Sequence, residues 1–310
     1  LVTHNFPTNV FKIPHLQSLT IISTQATFPL PQDLSRLKKL KKLVLRDFQT
    51  FPKQIITLKN LEVLSFEPSI PVNDQFKTKF IVPNEISQLS HLKTLSFSGL
   101  KLDTLPNSIY LLKKLQFLDL PLLKVLPKSF VALSNLKSIR LSRTDKYPLK
   151  NVAFFLTGLK TLNKLDISQN GKFNLDSLAA SFTQLKQLDT LVFRGDFSYL
   201  PSKLFKRSLK YLYIQNHPKR KLKTFPKGIL TLKQLTHLTI AYTGITKIPP
   251  EISQLKKLKT LHLHHQKLRD LPNSIQNLNN LQDLSIHDNP LDYNKAIEKF
   301  RKLLPNTHIN

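Results

Sequence analysis

Cysteine, methionine and tryptophan are absent from this chain of 310 residues, and glycine occurs only six times. Without cysteine, the chain can form no disulfide bond, no thiolate metal site and no cysteine nucleophile. The six glycines form neither a GxGxxG nor a GxxxxGK(S/T) sequence, which excludes the two common phosphate-binding loops. No uninterrupted apolar run approaches the roughly 20 residues that a membrane-spanning helix needs.

Catalytic groupings are also missing from the sequence. We recognise neither a nucleophile beside a base nor a pair of carboxylates with catalytic spacing. We therefore predict that the chain is not an enzyme and that it uses no cofactor.

Acidic residues are scarce: 19 Asp and Glu stand against 47 Lys and Arg, which gives a formal net charge of +28. Such a surface favours anionic partners and makes their binding sensitive to salt. The lysines are nevertheless spread over most of the chain, in runs such as SRLKKLKKL and SQLKKLKTL, which is typical of a solvated face. Binding of a polyanion (an acidic glycan, lipopolysaccharide, a membrane surface or, least favoured, nucleic acid) is therefore the alternative function.

One pattern, LPxxIxxLxxLxxLxL, recurs along the chain, for example as LPNSIYLLKKLQFLDL from Leu105 and IPPEISQLKKLKTLHL from Ile248. Twelve units follow one another when each is counted by the apolar residue that opens its final LxL. These residues are Leu19, Leu43, Leu64, Leu95, Leu118, Ile139, Leu165, Leu191, Leu212, Leu238, Leu261 and Leu284. No gap interrupts the array, so we predict a single domain over 1–310, with repeats in 16–291 and a C-terminal cap in 292–310.

The spacing within the pattern has a direct physical meaning. Leucines two apart point to one face of a strand, and the residue between them points to the other. Apolar residues every third position, as in IxxLxxL, fit a tight 3₁₀ turn, and the proline before them prevents the strand from continuing. One unit cannot bury its leucines alone, but stacked units share a continuous core.

At these residues the sequence resembles the leucine-rich repeat family. Its LPxxI opening is similar to the 23-residue class found in Ras-suppressor-like proteins and many bacterial repeat proteins, and the resemblance covers about Leu16 to Leu291. The resemblance implies an α/β right-handed solenoid, with a parallel sheet on the concave side and 3₁₀ or short helices on the convex side. It also implies a protein that recognises other proteins.

The chain departs from the family at the Asn that usually stands five residues after the LxL-opening leucine. Only Asn170 and Asn289 fit, and apolar Phe48, Leu100 and Leu123 are expected to pack inward instead. Extra length falls in 67–81, 142–154, 168–180 and 215–223, which we interpret as rim loops, either binding loops or neutral growth. After 291, apolar residues at helical spacing predict a capping helix with Asn294 as its N-cap.

Functional candidates are the strand side chains that point away from the leucine core, one before, one after and three after the LxL leucine. Repeats two and six to eight present a mildly basic strip, and repeats nine to twelve present tyrosines and histidines. The strip contains Lys42, Arg46, Arg140, Lys164 and Arg194, with Asp119 and Asp166 among them. The second group contains Tyr211, Tyr213, His237, His262, His264 and His287, with Tyr242 and His265 just beyond the strands.

Exposed aromatic residues with polar tips are typical contact anchors, although Tyr and His are also good strand formers. We predict a monomeric, non-catalytic module that recognises a protein partner through the concave face and the rim loops. The predicted partner-binding residues are Tyr211, Tyr213, His237, Tyr242, His262, His264, His287, Arg140, Lys164 and Arg194.

His264 and His287 are candidate metal ligands, because they occupy the same position in neighbouring strands and Asp283 and His262 are nearby. No fixed tetrahedral spacing supports a metal site, so the sequence predicts no metal.

The source and compartment are indicated only by absences. A chain without cysteine and without an N-x-(S/T) sequon fits a bacterial protein better than a eukaryotic ectodomain with disulfide-bonded caps. We expect an exported or cell-surface bacterial protein, with a cytoplasmic one as the alternative. A signal peptide before Leu1 is left open.

Overall fold

The computed structural model describes residues 2–3, 6–23, 28–69, 79–121, 123, 127–142, 152–172, 175–217 and 222–310. The chain divides into two compact units, Leu1–Tyr147 with Phe154–Leu162 and Pro148–Ala153 with Asn163–Asn310. Helix α1 (Val152–Gly158) is divided between the two units, after Ala153. A single domain over 1–310 stays a prediction.

The first unit contains parallel strands that follow one another in chain order. Consecutive strands pair so that the LxL leucines align, as Leu19 does with Leu43 and Leu43 with Leu64. The strands are β1 (Val2–Thr3), β2 (Ser18–Ser23), β3 (Lys42–Arg46), β4 (Val63–Glu67), β5 (Thr94–Ser96), β6 (Phe117–Pro121) and β7 (Ser138–Ser142).

Short 3₁₀ helices connect these strands, and most of them begin directly after a proline. Pro106 shows why: its backbone is extended (φ −65°, ψ 148°), and the helix that follows closes when the Leu112 amide donates to the Ile109 carbonyl. The 3₁₀ helices of the first unit are Thr8–Lys12, Leu34–Arg36, Lys53–Thr57, Asn84–Gln88, Asn107–Leu111 and Lys128–Ala132.

The second unit repeats this arrangement. Its strands are β8 (Lys164–Lys172), β9 (Thr190–Asp196), β10 (Tyr211–Asn216), β11 (His237–Ala241), β12 (Thr260–His262), β13 (Asp283–Ser285) and β14 (His308–Ile309). Its helices are α2 (Leu175–Ser181), α3 (Tyr293–Leu303) and the 3₁₀ segments Phe182–Gln184, Ser202–Leu204, Lys227–Thr231, Pro250–Gln254 and Asn273–Asn277. Each of the twelve predicted LxL-opening residues lies in its own strand, β2 to β13, which confirms the repeat assignment.

The leucine ladder forms the core of each unit. Leu118 in the first unit and Leu261 in the second are fully buried, and burial of a leucine contributes roughly 1.5 to 3 kcal/mol as an upper estimate. Phe48, Leu100 and Leu123 are buried as well, so the prediction that they pack inward is confirmed.

Polar side chains at the repeat junctions satisfy backbone groups of neighbouring turns. Asn289 donates to the carbonyls of Leu263 (2.7 Å) and Ile286 (2.8 Å) and accepts from the Leu268 amide. Gln266 donates to the Ile240 carbonyl in the same way, one repeat earlier.

In the β10 repeat this role falls to Asn216, which bonds both the amide and the carbonyl of Phe197. The family Asn position in this repeat is His217, so the residue that bonds the neighbouring turn lies one place earlier than the sequence indicated. The side chain of Asn170 lies outside the described residues.

The C-terminal helix is present, but its N-cap is Asp292 and not Asn294. The Asp292 backbone is extended and its carboxylate accepts from the Lys295 amide at 3.3 Å, whereas Asn294 already lies inside the helix. A carboxylate in this place satisfies a free amide of the first turn and carries a negative charge at the positive end of the helix.

Strands β1 and β14, which pair with β2 and β13, were not predicted, whereas helices α1 and α2, of seven residues each, agree with the short helices expected beside the 3₁₀ turns. Each of the four predicted insertions is described only in part, since residues 70–78, 143–151, 173–174 and 218–221 lie outside the described residues. Thr24 and Thr144, which stand at the family Asn position of their repeats, also lie outside them. Among the described helices, none combines the length and apolar character needed to cross a bilayer. The predicted class of fold, parallel strands alternating with 3₁₀ turns, is confirmed.

Candidate functional site

Strands β10 to β13 present most of the predicted aromatic and histidine residues on the side of the sheet away from the leucines. Their register places Tyr211 beside His237, and Leu212, Leu238, Leu261 and Leu284 in one buried row behind them. We call this surface the histidine–tyrosine face and define it by Tyr211, Tyr213, His237, Tyr242, His262, His264, His265 and His287.

Tyr211 and His237 form the first ring stack of the face. Their ring centroids are 4.2 Å apart and their planes are tilted by only 12°. Partial burial lowers the pKa of His237, and the positive charges of Lys259 and His262 act in the same direction. The lowered pKa favours the neutral imidazole, which stacks as an aromatic ring.

Tyr242 and His265 form a second stack, with centroids 4.1 Å apart and planes tilted by 16°. Both residues stand four places after the LxL-opening leucine, and both have a left-handed backbone, with φ of 57° and 52°. Asp288 occupies the same place in the next repeat, with φ of 56°. A left-handed conformation costs a residue with a side chain roughly 1 to 2 kcal/mol.

His264 and His287 form the third stack, at 5.0 Å and 4°. Burial lowers the pKa of His264, and so do the neighbouring imidazoles of His287, His265 and His262. His265 meets the two stacked rings edge-on, at 5.6 Å and 5.7 Å.

The carboxylate of Asp288 joins this group. Its Oδ2 lies 2.6 Å from His287 Nδ1 and 3.3 Å from His265 Nε2. A hydrogen bond from His287 is the main cause that lowers the pKa of Asp288. One possible metal-ligating atom from each of His265, His287 and Asp288 lies within 4.8 Å of the other two. Among the described residues, these three therefore have the spacing to hold a metal ion.

Asp283 does not join His264 and His287, the candidate metal ligands of the sequence analysis. Its carboxylate accepts from His262 at 2.7 Å and lies 3.5 Å from Nδ1 of His308. His287 therefore meets His265 and Asp288, whereas Asp283 bonds His262, whose ring centroid lies 6.4 Å from that of His264.

Arg194 extends the face toward β9. Its guanidinium bonds the buried Asp166 at 2.9 Å and lies over the Tyr213 ring, 4.8 Å from the centroid. The Tyr213 hydroxyl in turn donates to Gln215 at 2.7 Å. Lys164, at the start of β8 in the same unit, is half-buried.

The remaining basic-strip residues belong to the first unit. Arg46 pairs with Glu67 at 3.2 Å, and Arg140 lies 3.4 Å from the buried carboxylate of Asp119. Lys42 is exposed. Since its three arginines are ion-paired, the strip carries less net positive charge than its residue composition alone indicates.

Sequence reasoning missed Asp288 and the left-handed turn that it shares with Tyr242 and His265. The available signal was the equal spacing of these residues, each four places beyond an LxL-opening leucine. The sequence analysis placed Tyr242 and His265 just beyond the strands but did not extend the same position to Asp288 in the next repeat.

Three solved structures illustrate the fold to which this chain is similar. A leucine-rich repeat protein of Leptospira interrogans is 28% identical over 99% of this chain and 93% of that one, with a TM-score of 0.51. An internalin of Listeria monocytogenes is 20% identical, covering 90% and 82%, with a TM-score of 0.56. A chain of the Drosophila Toll–Spatzle complex is 21% identical, covering 88% of this chain and 40% of that one, with a TM-score of 0.60.

No curated protein matches the chain by sequence. A family model described as a leucine-rich repeat region matches residues 77–215 and 202–305. These matches span most of the chain, and the strands and 3₁₀ turns of both units follow the same repeat. The chain therefore belongs to the leucine-rich repeat proteins.

Proposed function

We propose that the chain is a non-catalytic binding module that recognises a protein partner through the histidine–tyrosine face. The observation that carries this proposal is the row of three ring stacks, Tyr211 with His237, Tyr242 with His265, and His264 with His287. Stacked rings are already ordered, so they lose little conformational freedom when a partner binds.

The protonation state of the face also suits a protein partner. The lowered pKa of His237 and of His264 keeps these imidazoles uncharged near neutral pH. Removing a neutral ring from water costs far less free energy than removing an imidazolium. The face then offers apolar ring area with polar edges, the combination found at the centres of protein interfaces.

Arg194 adds a cationic edge to this surface. Arginine and tyrosine are enriched among the residues that dominate interface energies, and Arg194 is positioned on Tyr213 by its ion pair with Asp166. An acidic or hydrogen-bonding group of the partner would meet this edge.

The similar structures are consistent with such a role without identifying a partner. Toll is seen with Spatzle, and the plant peptide hormone receptor RGFR1, a further similar structure, is seen with RGF2. For this chain, the partner is a proposal drawn from its own surface. A bacterial source, proposed from its composition, is supported by the likeness to the Leptospira protein.

Binding of a polyanion through the outer turns is the second candidate. Three lysines there, Lys233, Lys256 and Lys257, donate hydrogen bonds to neutral groups: the amides of Gln254 and Gln234 and the Asn277 carbonyl. These contacts do not neutralise the lysine charges, and the chain as a whole carries +28.

A salt series distinguishes the two candidates. The chain is used to capture partners from host and bacterial extracts, and the dissociation constant of each captured molecule is then measured by calorimetry at several salt concentrations. The variants are Tyr211→Ala with Tyr213→Ala, and Lys233→Gln with Lys256→Gln and Lys257→Gln. We expect a shallow salt dependence and a loss of affinity in the tyrosine variant alone.

Heparin serves as the polyanion probe in the same series. A steep fall of affinity with salt, together with a loss in the lysine variant and none in the tyrosine variant, would overturn the proposal in favour of polyanion binding.

A further inference from the structure

We propose that His265, His287 and Asp288 form a binding site for a divalent transition-metal ion such as Zn²⁺. The proposal concerns the end of the histidine–tyrosine face, and it does not depend on the protein partner. All three residues belong to the second unit, in the consecutive repeats of β12 and β13.

The distances between donor atoms are the first support. One donor atom from each residue lies within 4.8 Å of the other two, and Asp288 Oδ2 is 3.3 Å from His265 Nε2 and 2.6 Å from His287 Nδ1. Zinc bonds of about 2.0 to 2.2 Å in a tetrahedral arrangement place ligand atoms roughly 3.3 Å apart. The separation of Asp288 Oδ2 from His265 Nε2 already equals this value, and its separation from His287 Nδ1 is shorter.

The backbone holds the three residues in register. His265 and Asp288 occupy equivalent left-handed turn positions, with φ of 52° and 56°. The His265 amide also donates to the His287 carbonyl at 3.2 Å, which ties the two turns together. The cluster is thus built on two consecutive repeats rather than on a free loop.

Neighbouring rings support the two imidazoles from outside. Tyr242 lies against His265, with centroids 4.1 Å apart, and His264 lies against His287, at 5.0 Å. Such packing restricts the rotation of the two ligand rings, which favours a fixed arrangement of their nitrogen atoms.

The donor set determines the class of ion. Two imidazole nitrogens and one carboxylate oxygen suit zinc, copper, nickel or cobalt, whereas magnesium and calcium prefer oxygen ligands alone. Three protein ligands leave one tetrahedral position for water or for a donor atom of a partner. The side chains of His287 and Asp288 are 46% and 54% exposed, so this position is open to solvent.

The charge of the chain sets a further expectation. A net charge of +28 repels cations at long range, so binding must come from direct ligation. Salt screens the long-range repulsion, and the affinity should therefore not fall as salt is raised from about 0.05 to 0.3 M.

Zinc binding is tested on a chain without a polyhistidine tag, by calorimetry with Zn²⁺ and by visible absorption with Co²⁺. The variants His265→Asn and Asp288→Asn keep the turn, because asparagine tolerates a left-handed backbone. His237→Gln is the matched control, since His237 lies on the same face and outside the cluster. We expect one ion per chain in wild type and control, at least a tenfold loss in each cluster variant, and no competition from Mg²⁺.

Two results would overturn the site: no saturable Zn²⁺ binding by wild type, or equal affinity in wild type and the His265→Asn, Asp288→Asn double variant. Circular dichroism melts check that the variants fold. Should a variant melt early, long-range ¹H–¹⁵N spectra of wild type decide, because Zn²⁺ must shift the ring nitrogens of His265 and His287 and leave those of His237. Shifts confined to other histidines would equally refute the site.

Discussion

The imidazole of His237 lies parallel to the phenol ring of Tyr211 at a centroid distance of 4.2 Å, because strands β10 and β11 pair these two residues in register. Nothing in the leucine core depends on this contact, since both rings stand on the opposite side of the sheet. Tyr211 keeps 45% of its surface exposed in spite of the stack. Replacing the exposed ring of Tyr211 should therefore leave the leucine core intact.

Replacing both Tyr211 and Tyr213 with alanine should weaken binding of a protein partner while the melting temperature changes little. Truncation of a dominant interface residue costs about 2 kcal/mol or more, so the dissociation constant should rise at least tenfold. Calorimetry with the captured partner measures this. Tyr293→Ala, at an exposed tyrosine of the cap helix, is the control. An equal loss in the control would place the binding surface elsewhere.

Stability should fall as the pH drops below the ordinary histidine pKa of 6.5, and His237 should contribute to the fall. Its pKa is lowered in the folded chain by burial, Lys259 and His262, so the unfolded chain binds the proton more readily. The contribution is present above 6.5 and is lost as the pH falls toward the folded-state pKa. Urea unfolding of wild type and His237→Gln between about pH 5 and 7.5 measures it. Parallel profiles for the two proteins would contradict this.

Leu261→Ala should destabilise the chain by roughly 2 to 5 kcal/mol, since it removes a fully buried side chain and leaves a cavity. Lys256→Ala, on the outer turn of the same repeat, should change the free energy of unfolding by no more than about 0.5 kcal/mol. Chemical denaturation of both variants tests the assignment of the inward face. Similar midpoints would show that the assignment is wrong.

Gln266→Leu should cost roughly 1 to 3 kcal/mol, because it removes the acceptor of the buried Ile245 amide and of the Thr243 hydroxyl. Gln282→Leu, at an exposed position directly before β13, is the control. Thermal melts that shift by the same amount in both variants would mean that the buried hydrogen bonds contribute nothing.

The strands were predictable because two strong regularities coincide. The LxL spacing fixes which side chains share a face, and the recurrence of the whole unit fixes which leucines meet in the core. Both regularities hold at Leu118 and at Leu261, and both are buried as expected. Polar residues obey neither regularity so strictly, which is why Asn216 rather than His217 bonds the neighbouring turn.

The sequence predicted 3₁₀ or short helices between the strands without distinguishing the two. Most of the 3₁₀ helices directly follow a proline, whereas asparagine precedes Val152–Gly158 and Leu175–Ser181 in the sequence. Proline has no amide hydrogen to donate, so its absence removes one constraint against an α-helical turn.

The contacts within the histidine–tyrosine face were only partly predictable. Equal positions in neighbouring repeats place His264 beside His287, as the sequence indicated. Which carboxylate meets which imidazole depends on side-chain rotation, and Asp283 turns to His262 while Asp288 meets His287. The repeat determines which residues stand in equal positions of neighbouring strands, whereas side-chain rotation determines which of them form hydrogen bonds or ion pairs.

A left-handed residue stands four places after the LxL-opening leucine in several of the repeats. In the β5 repeat this turn position is filled by Gly99, with φ of 71°, while later repeats carry Tyr242, His265 and Asp288 there. Glycine at Tyr242 or His265 would relieve roughly 1 to 2 kcal/mol of backbone strain, but it would cost about 0.5 to 1 kcal/mol more conformational entropy on folding and would remove a ring stack of about 0.5 to 1.5 kcal/mol. These terms are of similar size, so the exchange would change stability little while it removed a ring from the histidine–tyrosine face.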